Sequence, residues 1–282
     1  MRAEGVPVPV DVDTPQSPGW WLMRLNTKLA NRRRERIDAL YARYAGEQGM
    51  PEVLRSAPDA AQTFFKASRT QFAEMLVKYL TYRMKVACIK TAHDSGEIGD
   101  AEAFAAWRRA GMLVEGVEAV RNMLVAGDGY VMVGVYEGAV AATSEDPRQV
   151  VTIHDPVRQS KVRAGAKFFH DSDFDVDLAY LHLEGRVYVA RRPRKGSASL
   201  AVRFSSAWEW DESKGGAEGL PTNGVIVRVR NDEAVGEFER HVPLLDRIDH
   251  MILQGMVIAT MQAFKQRAIK VDPADMPDVD PG

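Results

Sequence analysis

The chain has 282 residues, with 37 Lys and Arg against 39 Asp and Glu, a formal net charge of −2, and 45% hydrophobic residues. This is the composition of an ordinary folded protein, and it excludes collagen-like, disordered and disulfide-stapled chains. The length suits one large domain or two small ones, and a single cysteine, Cys88, cannot form an internal disulfide.

The N-terminus, MRAEGVPVPVDVDTPQSPGWW, holds no apolar core of signal-peptide length, so export is not expected. Residues 1–17 are Pro-rich and aperiodic and read as a flexible arm. Ser17 followed by Pro18 has the form of a helix start, a hydroxyl cap with Pro in the first turn. Behind it Leu25, Leu29, Ile37, Leu40, Tyr41 and Tyr44 recur at helical spacing up to Gly46. The basic run Arg32-Arg33-Arg34-Glu35-Arg36 lies mid-helix. It reads either as a solvated face or as a contact with an acidic partner or nucleic acid.

A loop over 47–59 leads to a second helix, about 60–82, with Phe64, Phe72, Met75, Leu76, Tyr79 and Leu80 as its apolar stripe. Lys85–Thr91 alternates like a short strand, in which Cys88 would be a buried small hydrophobe. Asp100 offers a cap for a third helical stretch to about Val125, carrying Phe104, Trp107, Leu113, Val117, Val120 and Leu124. Gly111 and Gly116 weaken its continuity. The mainly helical part thus covers 18–126.

From Gly127 the texture is β. Tyr130–Tyr136 is a strand turned by Gly138, and further strands are expected at 149–154, 161–169, 178–183, 186–190, 200–204 and 225–229. Strands following one another without helices between them make an antiparallel sheet or small barrel over 127–235, so the fold class is α+β. The segment 236–271 carries the last element, a helix opened by Pro243 that runs about 28 residues, or about 42 Å. Leu244, Ile248, Met251 and Ile252 mark one face; Leu253, Met256, Val257, Ile258, Met261 and Phe264 cover most of the remainder. Such a helix must be buried on several sides, by its own chain or by other subunits. The apolar stretch Met251–Phe264 contains Gln254, Thr260 and Gln262 and is too short to span a membrane. The tail, 272–282, has no pattern of its own and reads as an interruption.

Candidate chemistry is sparse. His170-Asp171-Ser172-Asp173-Phe174-Asp175-Val176-Asp177 has the alternate carboxylates of a calcium loop. The sixth position from Asp171 is Val176 instead of Gly, however, and the twelfth is His182 instead of Glu, so it reads as a solvated acidic loop. Gly127-Asp128-Gly129 and Gly215-Gly216 lack the spacing of phosphate loops and read as turns. His154-Asp155 resembles a base with its orienter, yet no nucleophile motif accompanies it. No catalytic residue, metal ligand or cofactor site is expected.

An ordered set of signals does match a known pattern. Trp107-Arg108-Arg109-Ala110-Gly111-Met112 is followed by Gly127-Asp128-Gly129-Tyr130-Val131, then His154-Asp155-Pro156, then Val227-Arg228-Val229-Arg230-Asn231. Gly236-Glu237-Phe238 then leads into His241-Val242-Pro243-Leu244-Leu245-Asp246-Arg247-Ile248-Asp249. Over residues 18–272 this resembles the portal proteins of tailed double-stranded DNA bacteriophages and prophages, in the subfamily common among actinobacterial phages. PLLDRID followed by a long Ala/Met/Gln/Phe-rich helix is the most specific piece. Ala110-Gly111-Met112 departs from the usual Asn-x-Met/Leu-Asp, and Gly236-Glu237 lacks the usual Ser between them.

The resemblance implies a structural subunit of a ring, typically of twelve copies, at one capsid vertex of the virion, assembled in the host cytoplasm. Double-stranded DNA would pass through it during packaging and ejection without being gripped, which suits a slightly acidic balance. Its implied partners are the terminase large subunit, capsid or scaffold proteins and head-completion proteins, with no membrane and no cofactor. The β-rich part would be the outer wing and the last helix the first stem helix, with clip, second stem helix, tunnel loop and crown expected beyond Gly282. Leu244, Ile248, Met251, Met256, Met261 and Phe264 would pack the stem interface. Arg32, Arg33, Arg34 and Arg36 would contact capsid or DNA. Two rivals stand beside this: a metal-dependent α+β hydrolase or nuclease with carboxylates scattered around Asp155, Asp171 and Asp173, and a minor capsid or adaptor protein.

Overall fold

Residues 8–49, 59–92, 99–136, 138–193 and 208–263 are described by a computed structural model. The helices are α1 (Pro18–Arg32), α2 (Asp38–Tyr44), α3 (Asp59–Ser68), α4 (Phe72–Arg83), α5 (Ala101–Arg109), α6 (Met112–Ala126) and α7 (Val242–Ala263). The strands are β1 (Val8–Pro9), β2 (Asp128–Tyr136), β3 (Ala139–Glu145), β4 (Val150–His154) and β5 (Val162–Asp171). After them come β6 (Val176–Leu183), β7 (Arg186–Pro193), β8 (Glu209–Trp210), β9 (Leu220–Pro221) and β10 (Val225–Arg230). The fold class is α+β. The chain divides into a larger unit, Met1–Gly49 with Gln71–Pro243, and a smaller one, Met50–Thr70 with Leu244–Gly282.

In the larger unit, Ser17 Oγ accepts the Trp20 N–H at 3.1 Å and starts α1 where the sequence indicates. Trp21, Leu22, Leu25 and Leu29 then recur at helical spacing and are buried with Val151, Phe168, Leu181, Trp208 and Trp210 of the sheet beneath. Side chains of this kind contribute about 1.5–3 kcal/mol each when taken out of water. That sheet is antiparallel, in the order β1-β8-β7-β6-β5-β4, with β9 also on β7. A second antiparallel sheet, β10-β2-β3, is covered by α6 through Ala119, Val131 and Ala142. Tyr130, Val150 and Ile226 close a small core shared by the two sheets.

Several expectations are corrected here. Residues 8 and 9 are not free arm: Val8 pairs with Trp210 and Pro9 with Glu209, and the Val10 N–H reaches Trp208 O at 3.0 Å. Alternating Val and Pro suit an edge strand, where a missing N–H costs nothing. The expected helix over 60–82 is two, α3 and α4, interrupted at 69–71 where the chain passes between units. On α4 the expected stripe faces outward, with Phe72, Met75, Leu76 and Tyr79 exposed. The buried face is small, Ala73, Val77 and Thr81, where α4 meets α6 and α2. Lys85–Thr91 forms no strand and Cys88 is exposed.

The third helical stretch breaks at Gly111, whose φ of +85° lies in the left-handed region, giving α5 and α6. Strand β3 had no expected counterpart; its AVAATSE is too rich in Ala and Ser to announce itself. The expected strand 200–204 lies outside the described residues.

The smaller unit is described over α3 and most of α7. The Thr70 N–H and hydroxyl both donate to Asp249 Oδ1, at 2.9 and 2.6 Å. The Arg69 guanidinium sits 5.3 Å from the Phe65 ring centre.

Candidate functional site

The most unusual surface belongs to α7. Leu245 and Asp249 are buried, but Leu244, Met251, Ile252, Val257, Ile258 and Met261 are exposed, Met251 to 69%. Leu244, Ile248, Met251, Gly255 and Ile258 follow one another at intervals of 4, 3, 4 and 3 residues. That alternation is the spacing by which one helix can present a seam to another. Gly255 sits in the middle of it, and a Cβ there would meet nothing within 4 Å. Of the expected interface residues, Leu244, Ile248 and Met251 lie on this seam, Ile248 being half-buried. Met256 is half-buried on another side of the helix, Met261 is exposed away from the seam, and Phe264 lies outside the described residues. Ile258 and Gly255 complete the seam; the 4-3-4-3 spacing was the available signal.

The arginine run has a different fate. A π-helical turn over Arg33–Ile37 joins α1 to α2 and reorients these side chains. Arg32 donates to Asp128 Oδ2 and to the Tyr130 hydroxyl, both at 2.8 Å. Asp128 and Tyr130 are buried, and Arg228 Nε lies 3.9 Å from the other Asp128 oxygen. Burial works against the Arg32 charge, but Tyr130 and Asp128 outweigh it and hold its pKa above the ordinary value. Arg36 pairs with Glu239 and donates to Ala234 O at 2.9 Å. Arg33 pairs with Asp38 at 2.9 Å, and the exposed Arg34 donates to Asn31 Oδ1 at 3.1 Å. Three of the four expected contact arginines are therefore ion-paired inside the chain, and among the described residues no carboxylate pairs with Arg34. Asp128, Glu239 and Tyr130 were not identified from sequence because they stand 96 to 203 residues away.

A cavity of about 510 Å³ opens beside α2, lined by Arg33, Tyr41, Tyr44, Arg121 and Arg148. Each arginine faces its own carboxylate, Asp38, Glu118 and Asp146, so the lining is charge-balanced. The Tyr41 hydroxyl donates to Asn122 Oδ1 at 2.7 Å, and burial pushes its pKa far up, so it remains a neutral phenol.

The carboxylates of the hydrolase reading do not converge. The Asp155 N–H reaches Lys161 O at 2.9 Å, at one end of β5, whereas Asp171 ends that strand ten residues on. At about 3.3 Å per residue the separation is roughly 30 Å. Asp155 accepts the Val157 and Arg158 N–H groups, and these bonds hold its carboxyl below the ordinary range. Asp171 accepts the Asp173 N–H at 3.0 Å, so the tip of the β5–β6 hairpin is a self-capped turn. Asp177 departs from the solvated-loop reading: it is buried, bonded by Arg192 Nε at 3.0 Å and His170 Nδ1 at 3.1 Å. Among the described residues, no group of three or more His, Cys, Asp or Glu is placed to hold a metal ion. Nor is any described helix long and apolar enough to cross a membrane.

Compared with protein-family models and with curated proteins, the chain finds no match.

Proposed function

We propose that this chain is a structural subunit of a phage or prophage portal ring, and that the exposed seam of α7 is where sister copies meet. The seam is the observation that carries the reading. Leu244, Met251 and Ile258 stand in water around an open glycine. Half-burying such side chains against a neighbour is worth about 1 kcal/mol each, repeated at every subunit boundary. A heterologous contact of this kind closes into a ring when its rotation permits. The motif order from Trp107 to Asp249 and the near-neutral charge, which leaves a duplex free to slide, support the same reading. Terminase, capsid and head-completion proteins are the partners it entails.

Mass photometry and negative-stain microscopy of the purified chain test it. Wild type is expected to form rings at high concentration, and Met251→Asp with Ile258→Asp to remain monomeric with an unchanged circular-dichroism spectrum. A wild type that stays monomeric throughout, or a double variant that still forms rings, overturns the proposal.

A further inference from the structure

On the face of α1 away from the core lies an open cleft of about 590 Å³, bordered by Arg24, Thr27, Lys28, Asn31, Arg32 and Ile153. Its basic residues stand at positions 24, 28 and 32, so their backbones rise about 6 Å from one to the next along the helix. Among the described residues no carboxylate pairs with Arg24 or Lys28. The Arg24 guanidinium lies 5.1 Å from the Trp20 ring centre, and Lys28 Nζ donates to the Thr152 carbonyl at 2.9 Å. Arg228 adds a further positive charge nearby. Asp128, the buried counter-charge, is engaged by Arg32 and Arg228. Glu35 is the one carboxylate on the cleft's rim.

We propose that this cleft binds the phosphodiester backbone of a nucleic acid, with Arg24 and Lys28 meeting neighbouring phosphates while Arg32 stays engaged by Asp128 and Tyr130. Two cations without a carboxylate among the described residues, one turn apart and beside the charge of Arg228, raise the local positive potential of this face, which attracts an anion. The shape of the cluster selects the anion. A single phosphate ion is held by donors converging on one point, usually backbone N–H groups of a turn or a helix N-terminus. Here the donors form a line on the side of a helix, with the Thr27 and Asn31 side chains beside it as neutral hydrogen-bonding groups. Two cations one helical turn apart suit neighbouring phosphates of a polyanion better than one ion. Burial and the charges of Arg32, Arg228 and Arg24 hold the Lys28 ammonium below its ordinary pKa, a cost that a bound phosphate would relieve. The inference uses the larger unit alone and requires no ring.

Fluorescence anisotropy with a labelled duplex of about 20 base pairs tests it. Two phosphate contacts give a log–log salt slope of about −1.8, so affinity falls about 12-fold between about 50 and about 200 mM salt. Arg24→Gln alone is expected to halve the slope to about −0.9, and Arg24→Gln with Lys28→Gln to bring it to about zero. Both replaced side chains are exposed, and a thermal melt checks that the fold survives. Arg34→Gln, outside the cleft, is expected to leave the slope unchanged. Absence of binding by wild type at the lower salt, or an unchanged slope in the double variant, overturns the proposal. Equal displacement by polyglutamate would assign the cleft to an acidic peptide, and displacement by low-millimolar inorganic phosphate to a single ion; either result overturns it too. Running the assay on monomeric and assembled fractions separates failure of this cleft from failure of ring formation.

Discussion

Replacing Arg32 by Ala removes the 2.8 Å partner of a carboxylate that is only 5% exposed and the donor to a phenol that is 1% exposed. Breaking a buried ion pair by deleting one member costs about 3–5 kcal/mol. Arg228 remains at 3.9 Å from Asp128 and the Arg32 side chain itself is 20% exposed, so the lower end applies. The Tyr130 oxygen loses the hydrogen bond it accepts from Arg32, worth about 1 kcal/mol at most. The expected cost is therefore about 3 kcal/mol, a midpoint shift of about 1 M urea for a slope of about 3 kcal/mol/M. Trp20, Trp21, Trp107, Trp208 and Trp210 all belong to the larger unit, so their fluorescence reports its unfolding specifically. In the Arg32→Ala background Asp128→Asn should cost at least about 1.5 kcal/mol less than in wild type, because the two residues act as a unit. An Arg32→Ala cost under about 0.5 kcal/mol, additive with Asp128→Asn, would return the arginine run to the status of a solvated face.

Other perturbations have equally definite outcomes. At Gly127 φ is +81° and an added Cβ would lie 2.2 Å from the Ala234 carbonyl oxygen, so Gly127→Ala should cost more than about 2 kcal/mol in urea melts. Ser17→Ala removes the α1 cap and should cost about 1 kcal/mol by the same assay. Gly255→Ala, in open space within a helix, should stabilise the unassembled smaller unit by about 0.5–1 kcal/mol, read as a higher melting temperature. For pH, burial pushes His154 and His182 below their ordinary value, Arg228 adding to the effect at His154. Their neutral forms are favoured in the fold, so stability is complete above about pH 6.5 and declines as pH falls through it. Burial raises the Glu239 carboxyl, but the Arg36 hydrogen bond, the Gly236 N–H and the Arg36 charge outweigh it and leave the pKa lowered. That contribution is present above about pH 4.5 and is lost as pH falls through the folded value, a limb that Glu239→Gln should flatten in a pH-resolved urea series.

What was legible in the sequence was whatever local periodicity and turn chemistry determine. The start of α1 at Ser17-Pro18, the cap at Asp100 and six of the β strands were readable because caps, alternation and Gly or Asp breaks act over a few residues. Strand β1 was hidden because Val8–Pro9 acquires its structure only by pairing with Trp210 and Glu209, two hundred residues on. The face of α4 was misread for a related reason. Large apolar residues normally mark the inner side, but a helix packed close to its neighbours buries Ala73, Val77 and Thr81 and leaves Phe72, Met75 and Tyr79 outside.

Charge shows the same limit in its sharpest form. Four arginines within five positions draw attention, yet three of them are paired to Asp128, Asp38 and Glu239, two of those partners far along the chain. The two cations of the cleft without a carboxylate among the described residues, Arg24 and Lys28, never form a run, because side chains that share a helix face stand three or four apart with other residues between them. A run of like charges in sequence spreads around the helix, whereas a row of like charges in space is dispersed along the sequence. The residues best placed to meet an outside anion are thus the ones whose spacing conceals them. The Arg24 and Lys28 variants separate the two kinds of basic cluster directly: the row should carry the salt dependence, and Arg34, the member of the run with no carboxylate among the described residues, should not.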